Sequence, residues 1–392
     1  MHSIKKLNNT LLQNLKNNTQ TLLAAGPMST STIDAIISIS DEQLIPIQLI
    51  ASRRQIDSSQ HGGGYVNKWS TVEFAEYVNK KCKNNLVFLS RDHGGPWQGS
   101  NEVTENMNLE QAMISSKKSL EIDIDSGFRF LHLDPSIDIH KELKIDEILN
   151  RVYELYGHVY EYSKGLENIF IEIGTDLQSD EVSSLEETEY ILNKIETFTK
   201  NIKHKPTFYV IQNGTKVQES ENVGEYKSKI HTNNEFQNKI KKLTQLCNKY
   251  DIFSKAHNCD YLDSDTLMSL RKCGVNAINI APEYGIIESR KIISLLRENN
   301  LDEEIDEFFN LSFNSNKFQK WLKIDTELDD FEKAVLSGHY VFSSEEFLHL
   351  KKRCTDKLEK RGVDLDHEIR TTLKAYITHH LTSLGWKSSQ PR

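Results

Sequence analysis

The chain has 392 residues, 37% hydrophobic and 27% charged, which is enough apolar material for a large core plus a smaller unit and too much for a disordered chain. A formal charge of -9 argues against general binding to nucleic acid or to an anionic membrane surface, since both need clustered cations. The five cysteines form no Cys-x-x-Cys pair and no apolar run reaches membrane-spanning length, so a disulfide framework, a zinc ribbon and a membrane protein are set aside and a cytoplasmic location is expected.

In chain order, residues 1–20 read as an Asn- and Gln-rich helical lead-in rather than a signal peptide. Compact apolar runs then alternate with helix-periodic segments up to about Asn300. The runs are 22–25, 45–50, 86–89, 128–131, 169–173, 207–211, 252–256 and 277–280. Between them lie helical candidates over 70–83, 145–162, 186–202, 235–250 and 264–273. Eight βα units predict a TIM (β/α)8 barrel over residues 21–300. A doubly wound open sheet is the competitor, but it usually has fewer units and often carries a Gly-rich phosphate fingerprint that is missing here. Residues 301–392 read as an appended helical unit with a turn at Gly338-His339-Tyr340 and a helix from His367 to Leu384. Such a unit would cap the barrel mouth or support self-association as a homo-oligomer.

In such a barrel the carboxyl ends of all the strands converge on one face, and here they are polar. The second run leads to Arg53-Arg54-Gln55, the third to Asp92-His93, the fourth to His132-Leu133-Asp134 and the fifth to Glu172 and Asp176. The sixth leads to Gln212, with His231 in the following loop, and the seventh to His257 and Asp260. Neutral imidazoles suit zinc and similar divalent ions, and His93, His231 and His257 offer three ligands. Such an ion polarises a carbonyl, and a carboxylate beside it, here Asp92, serves as acid or base. Each group also has a plainer use: a lone His as a hydrogen-bonded structural residue, Asp92, Asp176 or Ser264 as a helix cap, and Arg53 and Arg54 as surface charges or as grips on a phosphate or carboxylate.

At these residues the chain resembles the non-catalytic Z-subunit family of class II D-tagatose-bisphosphate aldolases. The likeness runs over most of residues 20–290 and rests on Asp92-His93-Gly94-Gly95-Pro96, His132-Leu133-Asp134-Pro135-Ser136, His231-Thr232-Asn233, Ala256-His257-Asn258-Cys259-Asp260-Tyr261, and Gln55 before Gly63-Gly64-Tyr65. It departs from the family at Arg54, Asp57, Lys255 and the loop Asp176-Leu177-Gln178-Ser179, which alters the charge around the site and makes a different sugar plausible. The resemblance implies a TIM barrel. Its wider likeness to class II aldolases implies a divalent metal, zinc in the first instance, on His93, His231 and His257, with proton transfer by Asp92 and Glu172 as a second candidate. Arg54, Gln55, His132, Asp134, Gln212 and Asp260 would then contact substrate.

Two functions follow. The first is a metal-dependent aldolase or epimerase acting on a ketose or ketose phosphate through an enediolate or retro-aldol step. The alternative is an accessory subunit that stabilises a catalytic class II aldolase without turnover of its own.

Overall fold

A computed structural model describes residues 11–164, 166, 168–175, 181–202 and 204–387. The first ten residues and the loop Asp176-Leu177-Gln178-Ser179 lie outside the described residues.

Eight parallel strands close into a barrel: β1 (Leu22–Ala25), β2 (Ile47–Ser52), β3 (Val87–Asp92), β4 (Phe130–Leu133), β5 (Phe170–Ile173), β6 (Phe208–Val210), β9 (Phe253–Ala256) and β10 (Ala277–Ile280). A small antiparallel hairpin, β7 (Val217–Gln218) and β8 (Glu221–Asn222), projects from the chain between β6 and β9. Each barrel strand has one face on the barrel interior and one on the helices, so apolar residues run nearly unbroken along it. Polar residues within these runs are therefore the informative ones.

The helices begin where local chemistry satisfies their free amide groups. Ser70 and Glu73 form a reciprocal capping box at the start of helix Thr71–Lys81, and the Asn233 and Asp263 side chains accept from amides in the first turns of Asn234–Lys249 and Ser264–Lys272. The cap expected at Ser264 is thus supplied by Asp263. Asp92 caps nothing and ends β3 itself.

The C-terminal region consists of helices Asp302–Asn314, Asp330–Val341, Glu345–Glu359 and Leu365–Ser383. The last packs on helices Thr30–Gln43 and Pro282–Glu298. Its buried Ile369, Leu373, Ile377 and Leu381 recur at helical spacing, and each contributes roughly 2 kcal/mol by leaving water. The chain also returns to its beginning, because the Thr21 amide donates to the Leu384 carbonyl at 3.0 Å and the Trp386 indole donates to the Thr21 carbonyl at 2.7 Å.

The turn expected at Gly338-His339-Tyr340 is instead part of helix Asp330–Val341. The glycine serves close packing rather than a reversal: a Cβ at Gly338 would collide with the Ser289 hydroxyl, and one at Gly285 on the facing helix would meet the His339 ring. Two glycines thus let helices Pro282–Glu298 and Asp330–Val341 approach closely, and this contact seats His339 and Tyr340 beside the barrel mouth. All five cysteines are free thiols, and no helix among the described residues is long and apolar enough to cross a membrane.

Candidate active site

Strand register brings the polar residues together. His132 on β4 pairs in register with Glu172 on β5, Ser52 on β2 with Asp92 on β3, and Ala24 on β1 with Asn279 on β10. Just past β3 the backbone turns left-handed at His93, with φ 47°, a conformation uncommon for a residue with a side chain and concentrated at functional sites. Gly94 and Gly95 follow because the chain passes over the next strand end. The Gly94 amide donates to the His132 carbonyl at 2.7 Å, and a Cβ on Gly95 would collide with the Asp134 backbone.

His93, His132 and His257 form a triangle with ring centroids 4.9 to 5.4 Å apart. Together with Asp92 they present ligand atoms within 4.8 Å of one another. Asp92 lies 3.4 Å from His132 Nδ1 and 3.7 Å from His93 Nε2, and it accepts from the Asn279 amide at 3.3 Å. Behind this group, His93 Nδ1 is 2.5 Å from Asp134, and His257 Nε2 is 2.9 Å from Glu172. Deeper still, the fully buried Lys255 ammonium donates to Glu172 at 2.6 Å and to Gln48 at 3.2 Å.

The electrostatics follow from this crowding. Burial pushes the Asp92 carboxyl up, but His93, His132 and His257 override it and hold the group anionic well below the usual carboxylate range. Burial opposes the charge on His93, yet Asp92, Asp134 and Glu172 win and raise it to about 9. His257 goes the other way, because burial outweighs Glu172 and Asp92 and lowers it to about 4. Glu172 is lowered to about 2 against its burial, chiefly by Lys255.

Arg54, Gln55, Asp134 and Asp260 join Asp92 and His257 around a cavity of about 400 Å³. A larger groove, about 730 Å³, lies between helices Asp302–Asn314 and Glu345–Glu359, away from all of this chemistry. The Gln55 side chain is partly committed, since it accepts from the Ser52 amide at 2.9 Å. Asp260 is committed to the start of helix Pro282–Glu298, where it accepts from the amides of Ala281 and Glu283 at 2.9 and 3.0 Å, and burial still raises it to about 6.

Three of the expected residues, His231, Gln212 and Arg53, are elsewhere. His231 follows the short helix Glu225–Lys229 and bonds Thr266 in helix Ser264–Lys272 at 3.1 Å, so the helix layer holds it outside the imidazole triangle. His132, expected as a substrate contact, is the third imidazole. Gln212 is not among the residues lining the cavity, and its carbonyl accepts from the Ser183 amide at 3.0 Å. Arg53 is neither a surface charge nor a phosphate grip, because it is buried and paired with Asp57 at 2.8 Å and Glu102 at 2.5 Å.

The sequence matches no protein-family model and no curated protein. The fold does match solved structures. A protein from Sinorhizobium meliloti 1021, described as a "probable tagatose 6 phosphate kinase", superposes with a TM-score of 0.76 at 14% identity, over 93% of this chain and 100% of that one. The fructose-bisphosphate aldolase of Campylobacter jejuni gives a TM-score of 0.55 at 10% identity, covering 97% and 95%. The YdjI aldolase of Escherichia coli K12 gives 0.53 at 11% identity, covering 96% of each chain. The chain has the TIM-barrel fold found in these aldolases.

The donor set suits a divalent ion. His93 and His257 each have one ring nitrogen held by a carboxylate, which fixes the ring and leaves the other nitrogen available, as carboxylates behind metal-bound imidazoles do. The ligand atoms of His93, His132, His257 and Asp92 lie within 4.8 Å of one another, and a tetrahedral zinc site with bonds of about 2.0–2.1 Å would draw its own ligand atoms to about 3.4 Å. Asn279 was legible only as the one polar residue inside Ala277-Ile278-Asn279-Ile280. Lys320, Trp321, His339 and Tyr340, which also line the cavity, come from the C-terminal region and carried no signal that would tie them to the strand ends.

Proposed function

We propose that the protein is a metal-dependent enzyme of carbohydrate metabolism that acts on a ketose or ketose phosphate by aldol-type chemistry, cleaving a carbon–carbon bond or epimerising through the same step. The observation that carries this reading is an anionic Asp92 among three imidazoles, two of them backed by carboxylates. His93, His132 and His257 would hold the ion, zinc by its donor preference. When bound, the ion supplies a Lewis acid that polarises the substrate carbonyl.

This chain's own residues do the rest. Asp92, steadied by Asn279, is the group to take the proton next to the carbonyl or from a substrate hydroxyl, and to return it. Glu172 is occupied by Lys255 and His257, so its part is to orient His257 rather than to carry protons. Asp134 does the same for His93. The five free thiols suit a reducing compartment such as the cytoplasm.

Metal analysis of the purified protein, paired with solvent-deuterium exchange into dihydroxyacetone phosphate, tests this reading. We expect bound zinc and exchange at the carbon next to the carbonyl, with both lost in His132→Ala and His257→Ala and kept in His231→Ala. Zinc retained in His132→Ala but lost in His231→Ala would overturn the ligand set. Absence of exchange, together with a raised activity of a co-purifying class II aldolase, would assign the accessory role instead.

A further inference from the structure

The cavity has a second chemical end. Arg54, just past β2, and Lys320, in the short 3-10 turn Gln319–Trp321 of the C-terminal region, both line it. Neither side chain has a hydrogen bond or an ion pair with any described residue. That sets them apart from cations nearby, such as Lys323 with Glu221 at 2.9 Å and Arg53 with Asp57 and Glu102.

An aromatic wall flanks the Lys320 ammonium. The Lys320 ammonium lies 4.7 Å from the Trp321 ring and 5.1 Å from the Tyr340 ring. Tyr340 packs on Tyr65 at 4.9 Å between centroids, and the Tyr65 amide donates to the Arg54 carbonyl at 3.1 Å. The Trp321 indole donates to the Tyr340 hydroxyl at 3.2 Å. His339 lines the same cavity while 2% exposed, and neither of its ring nitrogens has a partner among the described residues. Burial lowers Lys320 to about 8, with the nearby Arg54 charge adding to the effect. Two like charges lining one cavity favour an anion between them, and the aromatic wall beside Lys320 strengthens that attraction.

We propose that Arg54 and Lys320, with His339 as a polar partner, form a subsite for the anionic terminus of the substrate, a phosphate or a carboxylate, inside the cavity that also holds Asp92 and His93. The proposal deepens the aldol-type reading by naming the substrate's other end, and it can be tested without turnover. The C-terminal region then supplies part of the substrate site.

Calorimetric titration of the full chain with inorganic phosphate and with glycerate, neither of which carries a ketone, reads the subsite directly. We expect one of these anions to bind the wild-type protein more weakly as salt rises, and to lose about tenfold in affinity in Arg54→Gln and again in Lys320→Gln. Lys320→Arg should restore most of that loss. Preference for phosphate assigns a sugar phosphate, and preference for glycerate assigns a sugar acid. Wild-type affinity in both glutamine variants, at unchanged melting temperature, overturns the proposal, as does failure of the wild-type protein to bind either anion. Zinc content and deuterium exchange in the same samples report separately on the aldol-type reading.

Discussion

Arg91 and Asp92 are neighbours on one strand, and they point into two different regions. Arg91 faces the helix layer, where it is fully buried and makes a two-pronged bond to Asp123 at 2.7 and 2.6 Å, while its remaining nitrogen donates to the carbonyls of Ala51 and Ile56. Asp92 faces the barrel mouth, among three imidazoles, and the four offer ligand atoms within 4.8 Å of one another. The His132 nitrogen beside Asp92, Nδ1, accepts from the His93 amide at 3.1 Å, its Nε2 lies buried beside Gly174 without a partner among the described residues, and His93 sits in a left-handed backbone. Burial and charge are common to both regions. Closure distinguishes them: the outer pair satisfies itself, and the inner group is left open toward a cavity.

The largest effect should come from the closed pair. Asp123→Ala, which strands the Arg91 guanidinium, should cost about 3–5 kcal/mol in denaturant unfolding without changing metal affinity in the folded protein. A loss below about 1 kcal/mol, the level of an exposed ion pair, would break the comparison. In the open group the corresponding removal should spare the fold. Asp134→Asn should weaken zinc binding about 10–100-fold, because His93 loses the carboxylate that orients it, while the unfolding midpoint moves little. A large stability loss with unchanged zinc affinity would place Asp134 with the structural pairs.

A third buried arrangement sharpens the contrast, because the base beside it, His380 at 3.7 Å from Glu283, is lowered by burial to about 3 and stays neutral. Burial, with Asp260 beside it, raises Glu283 to about 8, and the bond from the Tyr261 amide only partly offsets this. A carboxyl raised in the folded state adds stability that is complete below its unfolded value near 4.5 and is lost as pH rises through its folded value near 8. Glu283→Gln should therefore gain on the wild-type protein between about pH 5 and pH 8, by at most about 1.4 kcal/mol per pH unit. Stability curves for the two proteins that run parallel over that window would show that Glu283 keeps an ordinary pKa.

The barrel was legible in the sequence because parallel strands buried on both faces leave compact apolar runs. All eight runs became strands, and 22–25 and 277–280 kept their bounds. Asp92, His93 and His257 were legible as polar residues ending such runs. His231 misled because it stands in a loop next to a strand end, and sequence spacing does not say that its loop turns outward to meet Thr266. His132 was seen but given a different role, since its place in the triangle depends on register between β4 and β5. The glycine at 338 read as a turn because close helix packing and chain reversal call for the same residue. Contributions from Lys320 and His339 depend on the packing of distant helices, which leaves no local mark.

The bonds that tie Thr21 to Leu384 and Trp386 also set a timetable for biosynthesis. The donor and acceptor of the Trp386 bond are 365 positions apart. At about 5–20 residues per second, Thr21 waits roughly 20–70 s after its own synthesis before that partner emerges. During this interval the amide and carbonyl that lead into the first strand lack these partners, so a nascent chain stalled before residue 384 should be a better target for chaperones and proteases than one in which Trp386 has emerged and docked.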